Sequence, residues 1–113
     1  MRYIAACVCV FLLMGCDDSP SAQASRDADL QRGKQLYERD CLLCHGVDGR
    51  GGSLAAALGG VPDLAEGQLG NLDDVTEIIL GGQGRMQGWA GMLGEDEAFD
   101  IASYLDRSNK AGD

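Results

Sequence analysis

The chain is expected to fold as one all-α domain, with three main helices joined by glycine-rich loops. Three observations carry that expectation. No segment alternates apolar and polar residues for long enough to make a strand. Three segments instead repeat apolar side chains at helical spacing. Between them lie clusters of glycine, a residue that helix interiors resist and tight turns accept.

The first residues stand apart from that domain. Met1 and Arg2 precede an unbroken apolar run from Ile4 to Met14. At about eleven residues it is too short for a bilayer, which needs about 20, and it has the length of a signal-peptide core. The run closes on Leu13-Met14-Gly15-Cys16, which resembles the lipobox of bacterial lipoproteins. That resemblance implies a leader over 1–15, cut before Cys16, with the acyl chains carried by Cys16. The alternative is an ordinary leader cut near Ala22-Gln23-Ala24. Residues 16–27 hold the lipidated cysteine and a polar stretch free of aromatics, expected to act as a flexible tether. Its reach would be roughly 18 Å as a random coil and at most about 37 Å when extended. Asp17, directly after the cysteine, resembles an inner-membrane retention signal.

The domain is expected over 28–113. Asp29 to Asp40 reads as its first helix, with Leu30, Gly33 and Tyr37 on one face. A glycine inside a helix costs about 1 kcal/mol relative to alanine, so Gly33 signals close approach by another backbone. Residues 46–60 read as a loop with a short alanine-rich piece, Leu54 to Leu58. Asn71 to Leu80 reads as the second helix, with Asp74 and Glu77 as a capping box, Val75, Ile78 and Ile79 as its stripe, and Gly81-Gly82 as its stop. Glu95 to Arg107 reads as the last helix. Three acids complement its N-terminal end, and Ala98, Ile101, Ala102 and Leu105 form its stripe.

Cys41-Leu42-Leu43-Cys44-His45 gives this small helical domain its chemistry. Thiols at i and i+3 sit on neighbouring corners of one helical turn. They can reach two vinyl groups on one side of a porphyrin, and the next residue then offers its imidazole to the iron. Cys-x-x-Cys-His is the attachment signature of haem c. A zinc site wants about four Cys or His ligands, and His45 is the sole histidine. The other cysteines, Cys7, Cys9 and Cys16, lie upstream, where the leader and the lipid anchor account for them. The haem also supplies an apolar body for a domain whose own core is thin, so the haem-free chain is expected to fold poorly.

Together these residues resemble the class I c-type cytochromes, specifically the small single-haem bacterial ones, over Ala28 to Arg107. The motif lies near the domain's start, unlike that of the four-helix-bundle cytochromes. Gly33, Tyr37, Tyr104 and Leu105 resemble the family's packed crossing of first and last helices. Pro62 and Leu64 resemble the proline segment whose carbonyl accepts a hydrogen bond from the proximal histidine. Gly84 to Trp89, followed by Leu93, resembles the axial-methionine loop. Two positions depart from the pattern: Gln87 replaces the proline expected after the axial methionine, and Val61 replaces the glycine expected before Pro62.

Beyond the leader only Met86 and Met92 remain as methionines. Met86 lies in a flexible stretch suited to bending over a porphyrin face. Met92 lies at the entrance to the last helix, where a packing role is expected. Met86 is therefore the expected sixth ligand, with Met92 or an open iron as alternatives. Histidine–methionine ligation raises the potential and blocks the site where oxygen would bind, which points to electron transfer without substrate turnover. Trp89 is expected to pack on the haem; Arg50 and Arg85 are candidates to face the propionates or, more simply, solvent.

The formal charge is −9, from 9 basic and 18 acidic residues spread along the chain. Such a surface repels nucleic acid and suits redox partners with a basic docking face; solubility alone would also account for it. The expected function is a lipid-anchored single-electron carrier on the periplasmic side of the bacterial inner membrane. The alternatives are a cytochrome subunit fixed in an oxidoreductase complex and a haem-based gas sensor.

Overall fold

Helix α1 spans Pro20–Asp40 in the computed structural model, which describes residues 20–59, 61, 63, 64 and 69–111. It starts well before Asp29, where the apolar repeat begins, so residues 20–27 are helical and not the loose tether expected of them. The reason is local. Proline is at ease at the first helical position, and Ser21 to Asp27 contains no further proline and no glycine to stop propagation. Ala24 to Asp29 are exposed, so no apolar stripe marks these turns in the sequence. The boundary at Cys16 and the leader before it lie outside the described residues.

After α1 the chain makes helix α2 (Leu42–His45), a 3-10 turn (Val47–Gly49) and helix α3 (Ser53–Leu58). Helix α4 (Leu72–Gly81) and helix α5 (Glu95–Ala111) complete the fold. No strand occurs among the described residues; one isolated pairing, Gln83 with Met86, stands alone. Three main helices, α1, α4 and α5, carry the architecture, and α5 packs against both others.

The α1–α5 crossing is tight because Gly33 has no side chain. A Cβ placed there would collide with the backbone carbonyl of Asp100. Arg32 reinforces the crossing, its Nε donating to Asp100 Oδ2 at 2.6 Å. Asp100 is buried, and a buried carboxylate needs such a partner. Beyond the contact point, Tyr37 and Tyr104 meet with ring centroids 5.5 Å apart and planes at 54°, a tilted aromatic pair of a favourable kind. Ile101, Ala98 and Ala102 are fully buried here, with Leu36 and Leu105 beside them.

Helix α4 joins this core through Val75 and Ile79, while Ile78 is only half-buried. Its cap differs from expectation. Asn71, in extended conformation (φ −83°, ψ 152°), accepts from the amides of Asp73 and Asp74 at 2.7 and 3.1 Å. Asp74 is thus a capped residue of the first turn and not the cap, because a cap must itself stand outside helical geometry. At α5, Glu97 Oε1 accepts from the Gly94 amide at 3.0 Å, closing the first turn from within. Helix α5 continues past Arg107 to Ala111; Asn109 in the extra turn donates through Nδ2 to the Leu64 carbonyl at 2.8 Å.

Gly33→Val should therefore destabilise the haem-loaded protein by about 2–3 kcal/mol through overpacking of two backbones. In a domain this small that lowers the thermal midpoint on the order of 10 °C, which a far-UV circular dichroism melt would read.

Candidate functional site

The Cys-x-x-Cys-His segment is one helical turn. The amides of Cys44 and His45 both donate to the Cys41 carbonyl, at 3.2 and 3.0 Å, and Cys41 itself continues α1 by donating to Tyr37 O at 2.8 Å. The spacing expected of two thiols on adjacent corners is thus realised, and the turn is rigidly continuous with the helix that builds the core. Cys41 is buried and Cys44 exposed, and neither is in a disulfide. Burial pushes the Cys41 thiol up to about 11, so its sulfur is neutral at physiological pH.

His45 is half-buried, and burial lowers its pKa below the ordinary imidazole value. It is neutral at pH 7, the form that ligates metals. Its Nδ1 is buried with no hydrogen-bond partner among the described residues. An orphaned buried polar atom costs about 1–3 kcal/mol and calls for a reason. Pro62, whose carbonyl the family resemblance offers as that partner, lies outside the described residues. A neutral imidazole beside two thiols on one turn fits a haem c. Among the described residues no three His, Cys, Asp or Glu side chains are grouped to hold a metal unaided, so the zinc alternative gains no further donors.

The loop after His45 is closed on itself. The Gly51 amide donates to His45 O at 2.6 Å, and the Gly46 amide to Leu42 O at 2.8 Å. Gly46 has φ +77°, and a Cβ on it would strike the Gly51 carbonyl; glycine is required there on both counts. Tyr37 Oη donates to the Gly46 carbonyl at 2.6 Å, and Tyr104 Oη to Asp48 Oδ1 at 2.6 Å. Both hydroxyls are held above their ordinary pKa, chiefly by burial, Tyr104 at about 12.

Met86 sits on a second anchored loop. A helix leaves its last carbonyls without partners, and the chain following α4 turns back to supply them. Gly82 donates to Ile78 O at 2.8 Å, Trp89 to Ile79 O at 3.0 Å and Ala90 to Leu80 O at 3.1 Å. Within this return, Gln83 and Met86 exchange amide–carbonyl bonds of 3.1 and 2.9 Å across Gly84 and Arg85. Met86 is half-buried, whereas Met92 is 62% exposed. Trp89 is half-buried against the hydrophobic core. Arg50 is exposed; Arg85 donates through Nη1 to the Leu58 carbonyl at 3.4 Å, linking the methionine loop to α3. Helix α3 in turn touches α2, so both candidate ligand segments meet one short helix.

Sequence reasoning missed Asp48 as a partner of Tyr104, and Asn109 as a partner of Leu64. Neither contact has a local signature, because each pair lies far apart along the chain.

An all-α fold of three main helices, with a Cys-x-x-Cys-His turn directly after the first, defines a single-haem class I c-type cytochrome. Residues 28–105 match the family model described as "Cytochrome C oxidase, cbb3-type, subunit III". The chain belongs to that cytochrome c family. It is 32% identical over 88 residues to a cytochrome c6 of Tetradesmus obliquus, covering 69% of this chain and 89% of the relative. It is 34% identical over 97 residues to cytochrome c55X of Paracoccus denitrificans (strain Pd 1222), covering 83% and 85%. A cytochrome bc1 complex cytochrome c subunit of Mycobacterium bovis is 30% identical over 95 residues, 84% of this chain but 33% of that longer protein. The family implies haem c, and the chain is a cytochrome c electron carrier and not an enzyme.

The tyrosines give the fold a pH signature. Unfolded tyrosine ionises near 10, whereas Tyr104 in the fold keeps its proton to about 12. Between these values the unfolded chain binds fewer protons, so stability present in full below pH 10 is lost as pH rises through about 12. Melts of the haem-loaded protein between pH 9 and about 12 should show a fall that is shallower in Tyr104→Phe.

Proposed function

We propose that this cytochrome is a lipid-anchored, periplasmic single-electron carrier whose haem c is bonded through Cys41 and Cys44 and ligated by His45 and Met86. The observation that carries the reading is the turn itself, where two thiols at helical spacing adjoin a neutral imidazole whose Nδ1 is without a partner among the described residues. When bound there, the haem supplies reversible one-electron chemistry at iron. The chain's own residues hold and orient it. Tyr37 and Tyr104 steady the histidine loop; by the family resemblance Pro62 would offer a carbonyl to His45 Nδ1, and Trp89 would pack on the haem. Met86 is favoured over Met92 because its own amide and carbonyl are both bonded to Gln83, which fixes its loop.

Methionine ligation would block the iron to oxygen and raise its potential, as a carrier needs. The net charge of −9 favours partners with a basic docking face, and speaks against nucleic acid. No helix among the described residues is long and apolar enough to cross a membrane; membrane attachment rests on Cys16 and the lipobox resemblance. A fixed cytochrome subunit is the second reading. It draws support from the family description and from the mycobacterial relative, whose name places it in a bc1 complex.

The exported protein should show the sharp reduced α band of haem c, and its oxidised form the weak far-red band of methionine-ligated iron. Met86→Ala should abolish the far-red band while Met92→Ala keeps it; the reverse would transfer the ligand to Met92. Cys16→Ser should move the protein from the membrane to the soluble periplasmic fraction in a fractionation blot. Unchanged membrane retention would show that Cys16 is not the anchor. Purification with stoichiometric partner subunits would favour the fixed-subunit reading.

A further inference from the structure

Asp48 combines two unusual properties. Among the described residues it is the one non-glycine with positive φ, at 54° with ψ 24°. Side chains other than glycine occupy this region at a cost, and Asp and Asn tolerate it best. The same Asp48 accepts, through Oδ1, the hydroxyl of Tyr104 at 2.6 Å, from a helix 56 positions away in sequence. A left-handed residue held by a long-range bond points to a conformation that the surroundings impose.

What is imposed is the path of the loop leaving His45. That loop is tied into a ring by the Gly51 amide on His45 O at 2.6 Å, and its Gly49 carbonyl accepts from Leu64 N at 2.8 Å. Two phenols grip it from the helix crossing, Tyr37 at Gly46 and Tyr104 at Asp48. The first grip uses a backbone carbonyl, which any residue would supply. The second depends on the identity of residue 48.

We propose that Asp48 is a positioning residue for His45: the Tyr104–Asp48 bond fixes the loop and thereby the orientation of the imidazole toward the haem iron. This rests on the reading of His45 as an iron ligand. The bond and the charge are separable. Asp48→Asn keeps an oxygen acceptor and tolerance of the left-handed turn. Asp48→Gly keeps the turn and loses the acceptor. Tyr104→Phe loses the donor and leaves every charge in place.

The test is electron paramagnetic resonance of the oxidised holoprotein, whose low-spin signal reports axial-ligand geometry, with the oxidised-to-reduced ratio at a fixed applied potential. Tyr104→Phe and Asp48→Gly should shift or split the low-spin signal, and Tyr104→Phe should move the ratio at least about threefold, roughly 28 mV for one electron. Asp48→Asn should keep the wild-type signal. A merely structural role would lower the melting point of the first two variants and leave the signal untouched. The proposal fails if either variant that folds retains the wild-type signal, or if Asp48→Asn is perturbed as much as Asp48→Gly. Absence of a low-spin haem signal from the wild-type protein would instead overturn the ligation reading itself.

Discussion

The structure depends on one steric constraint, the close passage of α1 over α5 at Gly33. Without a Cβ at that position, the helix backbones meet at the Asp100 carbonyl. Four residues along α1, one turn further, Tyr37 is then forced against Tyr104. The two hydroxyls emerge on the same side and reach the same loop, at Gly46 and Asp48. A packing event between helices is thereby converted into the placement of a loop that begins at His45. The ion pair of Arg32 with Asp100 sits on this crossing too. Its partner is buried while the arginine is half-exposed, so the pair offsets the cost of burying the Asp100 carboxylate.

A second constraint shapes the other side of the site. The carbonyls left over at the end of α4 would be unpaired if the chain simply departed. The Gly82 cap satisfies the Ile78 carbonyl, and returning along the helix satisfies the next two, which fixes Gln83 to Ala90 without regular secondary structure. This offers a physical account of Gln87. The family pattern places proline after the axial methionine, where its ring stiffens the chain. Here stiffness comes from the Gln83–Met86 pairing and from the amides of Trp89 and Ala90 on α4, none of which needs a proline at 87.

Much of this was legible in the sequence, and the misses have specific causes. The apolar repeats marked the buried faces of α4 and α5, because burial imposes helical periodicity on the residues that are buried; Gly33 marked a close backbone approach, and its partner, α5, came from the family resemblance. Residues 20–27 escaped notice because a helix that buries nothing leaves no such period; only the lack of stops marks it. The α4 cap was placed three residues late because Asp74 and Glu77 mimic a capping pair, and only backbone conformation distinguishes Asn71 from Asp74. The motif turn was readable from spacing alone. Asp48 was not, because its partner is on the last helix, and a contact between the two ends of a domain has no local signature.

The exposed large apolar side chains show where the fold is incomplete on its own. Leu43, Val47, Leu58 and Met92 are each about half exposed or more. They lie on the motif turn, the loop after it, the end of α3 and the methionine-bearing return. Only Phe99, on α5, falls elsewhere among those described. The buried cluster, by contrast, belongs mainly to α1, α4 and α5. Helix packing has therefore consumed the apolar surface between the three main helices and left unsatisfied the segments that carry the candidate ligands. A domain this small ordinarily needs a staple or a cofactor to be stable. An apolar group bonded to Cys41 and Cys44 would offer such segments cover, so attachment would contribute to folding as well as to redox chemistry.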